Sequence, residues 1–175
     1  MLPPKKRGAM STYFHVCPIP LDNGAVIKAG NFGRVISQYR PRELGPLSTR
    51  EMTFEVVRLS AFPNRPSRLT SIFLLPTLSH ASIYRFQHAY TSLIYEVELV
   101  EDGPVFNGDI SLITSPFPND QSPAIPHMMA LAHQYWTGLE SIVATSELLT
   151  ASPVRVVATH NVPAYALPDA QINGS

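Results

Sequence analysis

Apolar and polar positions alternate most regularly over Ser92–Val100 (SLIYEVELV), where Leu93, Tyr95, Val97 and Leu99 share one face of a strand. Thr12–Cys17 (TYFHVC), Leu69–Leu75, Asp109–Thr114 and Val154–Thr159 (VRVVAT) read as further short strands. Helical spacing is expected over Ser79–Ala89 and Met128–Glu140, with an extension over Glu140–Thr145, while Asp22–Gly33 reads as a turn and helix interrupted by Gly24 and Gly30. Thr53–Leu59 (TFEVVRL) fits neither period and stays open between helix and strand. No regular strand-helix alternation supports a parallel sheet. The expected fold class is therefore α+β, with short and largely antiparallel strands.

The ends of the chain lack this patterning. Residues 1–10 form a basic, Pro-rich stretch expected to be a flexible tail, and 163–175 form a second polar tail, leaving 11–162 as one domain. The PPKKR cluster near the start matches a nuclear-address pattern as well as a solvated tail. The 17 prolines are dispersed, so they punctuate short elements and do not form a low-complexity tract.

Composition narrows the function classes. At 175 residues with 45% hydrophobic content, the chain can bury one good core. Its 13 basic and 13 acidic residues cancel, which removes any global electrostatic argument for nucleic acid or an anionic membrane. A lone Cys17 excludes an internal disulfide framework and a Cys-rich zinc site. No run of 18 apolar residues occurs, and no apolar segment follows the basic start, so neither a membrane helix nor a secretory signal is expected. That points to a cytoplasmic protein.

Familiar chemical signatures are missing: there is no phosphate-binding P-loop, dinucleotide glycine fingerprint, HExxH or GxSxG. Six histidines lie scattered at 15, 80, 88, 127, 133 and 160, and His127 and His133 do not share a helix face well, so no metal is expected. Cys17 and His15 fall on one strand face, but no third residue orients them as a nucleophile and base.

What remains is an order of residues: His15 on an early strand, Phe73 and Tyr84 around a strand-loop-helix unit, and Glu147 ahead of the last strand. Phe73 and Tyr84 are 11 apart, and Ala81 precedes Tyr84 in an A..Y pattern. In these features the chain resembles the ADP-ribosyltransferase superfamily of the diphtheria-toxin and poly-ADP-ribose polymerase type, and its uncharacterised bacterial members in particular. The stretch YFHVCPIPLDNGAVIKAGNFGRVI is similar to the superfamily's first motif, a histidine strand running into a short helix.

The resemblance implies split, mostly antiparallel β-sheets with flanking helices in a single domain, and NAD as the substrate. It also implies roles: His15 holding the adenosine ribose, Phe73 and Tyr84 clamping the nicotinamide ring, Glu147 stabilising an oxocarbenium-like state, and Ser71 and Arg34 lining the cleft. ADP-ribose would pass to an acceptor, either a protein, a nucleic-acid base or a small molecule, chosen by the loops Ser37–Ser48 and Thr114–Pro126. Because toxins and effectors share the fold, delivery into another cell is compatible with the sequence.

Two departures stand out. Phe73 occupies a position that is usually Tyr, and Val16 follows His15 where polymerase-like members carry glycine. Each residue also has an ordinary structural reading: His15 as a hydrogen-bonded buried ring, Phe73 as core, Tyr84 as a cover for the sheet, and Glu147 as a solvated charge, with Glu140 competing for the acidic role. A non-catalytic binding module on the same fold and an NAD glycohydrolase are the alternatives.

Overall fold

The computed structural model describes residues 12–38, 45–114 and 124–161. In chain order the described elements are β1 (Thr12–Cys17), β2 (Val26–Ile27), α1 (Asn31–Ser37), α2 (Pro46–Ala61), a 3-10 turn (Arg68–Thr70), β3 (Ile72–Leu74), α3 (Leu78–His88), β4 (Leu93–Leu99), β5 (Val105–Asp109), α4 (Ser111–Thr114), α5 (Ala124–Thr137), β6 (Ser146–Thr150) and β7 (Val154–His160). The strands form two sheets, ordered β1-β4-β7-β2 and β3-β6-β5, and every strand pair is antiparallel. The α+β class holds, and the described residues make one domain.

The layers follow from strand alternation. On β4, Tyr95 and Val97 turn toward β3 and β6 and join Ile72, Leu74, Leu148, Val154 and Val156 in a core between the sheets. Ile94, on the opposite face, packs with Leu75 and Ala81 beneath α3. On β6, Leu148 enters the intersheet core, whereas Leu149 joins Phe54, Val57, Ala132, Tyr135 and Trp136 beneath α2 and α5. The chain is thus stacked as α2 and α5, the three-stranded sheet, the four-stranded sheet, and α3.

Among the described residues the edges of the two sheets are bridged at one point and then part. Phe14 and Leu75 exchange both backbone hydrogen bonds, at 2.9 and 2.8 Å, and this isolated bridge is where β1 and β3 touch. Continued pairing would set Phe73 opposite Val16. Instead His15 Nδ1 lies 2.8 Å from the Phe73 carbonyl, so a side chain satisfies a backbone group that the divergence leaves without a ladder partner. The site described below opens in this split.

Local signals explain the elements that were legible. Thr77 caps α3 by accepting a hydrogen bond from the His80 N–H, and Pro46 starts α2 where its missing N–H costs nothing. Several expectations need correction. Leu69–Leu75 is a strand only over Ile72–Leu74, because its first part turns as a 3-10 segment. Asp109–Thr114 is not a strand: Asp109 ends β5, and its carboxylate accepts from the Ser111 N–H at 2.9 Å to turn the chain into α4. The undecided Thr53–Leu59 lies inside α2, and the helix expected within Asp22–Gly33 starts only at Asn31, after β2. Glu140–Thr145 is not helical, since α5 ends at Thr137 and Gly138 takes a φ of 84°.

The tails 1–10 and 163–175, residues 39–44 of the loop Ser37–Ser48 and residues 115–123 of the loop Thr114–Pro126 lie outside the described residues; the far ends of those loops, from Pro46 and from Ala124, are helical. No helix among the described residues is long and apolar enough to cross a membrane.

Candidate functional site

A cavity of about 500 Å³ opens at the parting of the sheets, within the size range of small-molecule sites. Its wall brings together His15 from β1, Phe73 from β3, Tyr84 from α3 and Glu147 from β6. Phe32, Arg50, Arg68 and His88 complete its aromatic and charged lining. Ser71 and Arg34 are not among the lining residues. Ser71 is buried, its Oγ without a partner among the described residues, and Arg34 is exposed, donating to Asn31 Oδ1 at 3.2 Å. Glu140 is exposed at the rim of a separate open hollow, so of the two acidic candidates only Glu147 belongs to this cavity.

Alternation along the strands puts Phe73 and Glu147 on one face. Phe73 pairs with Leu149 across β3 and β6, and Glu147 lies two residues from Leu149, so all three turn toward α2 and α5. Glu147 is 4% exposed, a costly position for a carboxylate without partners. Two donors meet it there: Tyr135 Oη donates to Oε1 at 2.7 Å, and Arg68 Nη1 forms a salt bridge to the same oxygen. No bond among the described residues falls on Oε2.

Arg68, itself 6% exposed, is the centre of the charged network. Its Nε donates to Glu51 Oε2 at 3.0 Å, its Nη1 donates to Tyr135 Oη at 2.9 Å, and its guanidinium lies 4.8 Å from the Phe73 ring centroid. Burial works against the Arg68 charge, but Glu147, Tyr135 and Glu51 outweigh it and hold the group firmly protonated. Glu51 also accepts from Arg50 at 3.0 Å, so two arginines and two glutamates balance within the network.

Two glycines make the packing possible. Gly108 sits opposite Glu147 in the β5–β6 register, and a Cβ there would come within 2.6 Å of the Tyr135 ring. The absent side chain is what lets Tyr135 reach Glu147. Gly33 plays a similar part for α1: a Cβ would fall 2.1 Å from the Leu69 carbonyl, and the close approach seats Phe32 edge-on against Phe73 at 5.2 Å between centroids.

Tyr84 stands on α3 one turn before His88, and the two rings lie 5.2 Å apart. Burial, and next the nearby Glu147 charge, push the Tyr84 hydroxyl above its ordinary range, so it stays a neutral donor. His15 is half-buried, but its ring is set deep in the wall, and that desolvation pushes its pKa down despite the Phe73 carbonyl bond. A carbonyl only accepts, so Nδ1 carries the hydrogen and the neutral ring offers Nε2 as an acceptor.

Because the native state resists protonating His15, the unfolded chain takes up more protons once pH falls below the unfolded value of 6.5. The stabilisation is fully present above that pH and declines as pH falls toward the folded value. Urea unfolding at pH 7.5 and pH 5 is expected to show wild type losing more stability than His15→Gln, and parallel losses would remove His15 as the source.

Arg68, Tyr135, Glu51 and Gly108 went unmarked in the sequence. Arg68 precedes a strand in a Pro- and Ser-rich stretch and reads as a loop cation; Tyr135 reads as helix core. Only the 79-residue separation closed by Arg68 and Glu147 gives them a shared role.

Comparison with known proteins finds no match among curated proteins. A family model does match residues 21–162, a span that holds Arg68, Phe73, Tyr84, Tyr135 and Glu147 and begins just after His15. Covering most of the sequence, this match shows that the chain belongs to the family described as "Protein of unknown function (DUF2441)".

Proposed function

We propose that the protein is an NAD-dependent ADP-ribosyltransferase. The observation that carries this reading is the meeting of His15, Phe73, Tyr84 and Glu147, from four separate elements, in one cavity. A flat, electron-poor nicotinamide ring gains from aromatic faces, each stacking contact contributing about 0.5 to 1.5 kcal/mol beyond area burial. Phe73 is braced by Phe32 and Arg68, and Tyr84 by His88, which suits a preformed slot. His15 supplies a neutral acceptor for a ribose hydroxyl.

In the reaction the bond between ribose C1′ and the nicotinamide nitrogen breaks, and its electron pair passes to the ring, which leaves as neutral nicotinamide. Positive charge then develops on the ribose, where Glu147 is the stabilising carboxylate. An acceptor nucleophile forms the new bond at C1′, and its proton passes to Glu147 or to solvent. If water is the acceptor, the same chemistry is NAD hydrolysis.

One observation favours the non-catalytic alternative: the Glu147 carboxylate is already engaged by Arg68 and Tyr135. Calorimetric titration with NAD, run beside a nicotinamide-release assay, separates the readings. Wild type is expected to bind and cleave NAD, and Tyr84→Ala to weaken binding on the order of thirtyfold, the equivalent of about 2 kcal/mol of lost stacking and burial. No heat and no nicotinamide at millimolar NAD would sink the enzyme reading.

A further inference from the structure

We propose that Arg68 and Tyr135 are positioning residues for Glu147: together they hold its Oε1 and leave Oε2 to a ribose hydroxyl, with Glu51 fixing Arg68 from behind. This rests on the ADP-ribosyl-transfer reading. It adds to that reading a mechanism by which a flexible carboxylate is held in one orientation.

The donor chain is consistent in direction. Arg68 Nη1 donates to Tyr135 Oη at 2.9 Å, and Tyr135 Oη, having accepted one hydrogen bond, donates its own hydrogen to Glu147 Oε1 at 2.7 Å. Arg68 also bonds Oε1 directly. The planar guanidinium is held in turn by Glu51, which takes Nε at 3.0 Å. Donors from the 3-10 turn and α5 therefore meet on one carboxylate oxygen of β6, and Glu51 of α2 backs the arginine. Gly108, directly across from Glu147, leaves the room that Tyr135 occupies.

The ion pair of Arg68 and Glu147 faces the cavity. Both residues line it, and the Arg68 guanidinium lies against Phe73, so one group touches both the aromatic wall and the carboxylate. A glutamate free to rotate would meet the sugar in only a fraction of its rotamers; fixing Oε1 removes that freedom before substrate arrives.

The test uses the full chain carrying Tyr135→Phe, which deletes the hydroxyl and keeps the ring. The kcat for nicotinamide release is expected to fall by about ten- to a hundredfold, with the KM for NAD within about twofold. The ¹³C δ-carboxyl resonance of Glu147, assigned by its loss in Glu147→Gln, is expected to move. Should Tyr135→Phe fail to fold, Arg68→Lys keeps the charge but loses the planar fork, and carries the same expectations. An unchanged kcat with an unmoved resonance would overturn the proposal. If wild type releases no nicotinamide at all, the transferase reading fails by itself. The resonance then decides the positioning: a shift upholds the hold on Glu147, and no shift overturns it.

Discussion

Glu147→Gln is expected to lower nicotinamide release from NAD by about a hundred- to a thousandfold while leaving NAD affinity nearly unchanged. The magnitude follows from removing one preorganised electrostatic partner of a developing charge. Substrate binding is spared because the slot is made by Phe73, Tyr84 and His15, and Arg68, which lies against Phe73, keeps its second carboxylate partner, Glu51. A Gln side-chain oxygen can still accept from Tyr135 and Arg68, which separates loss of charge from loss of shape. Steady-state release of nicotinamide, paired with calorimetric NAD affinity, reads both quantities. Equal turnover in the variant would remove Glu147 as the carboxylate of the reaction.

The largest stability effect is expected at Arg68. Arg68→Met should cost about 3 to 5 kcal/mol, because it leaves Glu51 and Glu147, at 1% and 4% exposure, without the cation that links them. For a chain of this size that corresponds to a melting temperature lower by roughly 10 °C. The penalty comes from stranded charge more than from lost attraction, which makes a second expectation: Glu51→Gln and Glu147→Gln placed in the Arg68→Met background should restore much of the loss. Thermal melts of the single and combined variants measure the coupling. A single variant that melts with wild type would show that water, and not Arg68, solvates the two carboxylates.

Glu147→Gln tests chemistry in the cavity, and Arg68→Met tests the framework that holds the carboxylate. A protein that loses activity with the first and stability with the second fits the arrangement described.

Much of the fold was legible where one residue pattern meets one environment. β4 and β7 alternate because one face is buried deeper than the other, and α3 follows an N-capping threonine and ends near its expected residue. β6 was not legible. All five of its residues are buried, since α5 covers one face and the four-stranded sheet the other, so no alternation marks SELLT as a strand. β5 and the 3-10 turn were missed for a related reason: they are too short and too mixed to show a period.

The sequence by itself determined the class of the fold, the single-core scale, and the order of four residues, His15, Phe73, Tyr84 and Glu147, that end in one cavity. Only the tertiary structure decided what surrounds them. Whether Glu147 or Glu140 faces the cavity, that Arg34 points to Asn31 instead, and that Arg68 joins Glu51 to Glu147 all depend on contacts between residues far apart in the chain. Local pattern reports which face of an element prefers water. It carries no record of which charge will meet which, because that pairing exists only once the sheets have met at Phe14 and Leu75 and parted beyond them.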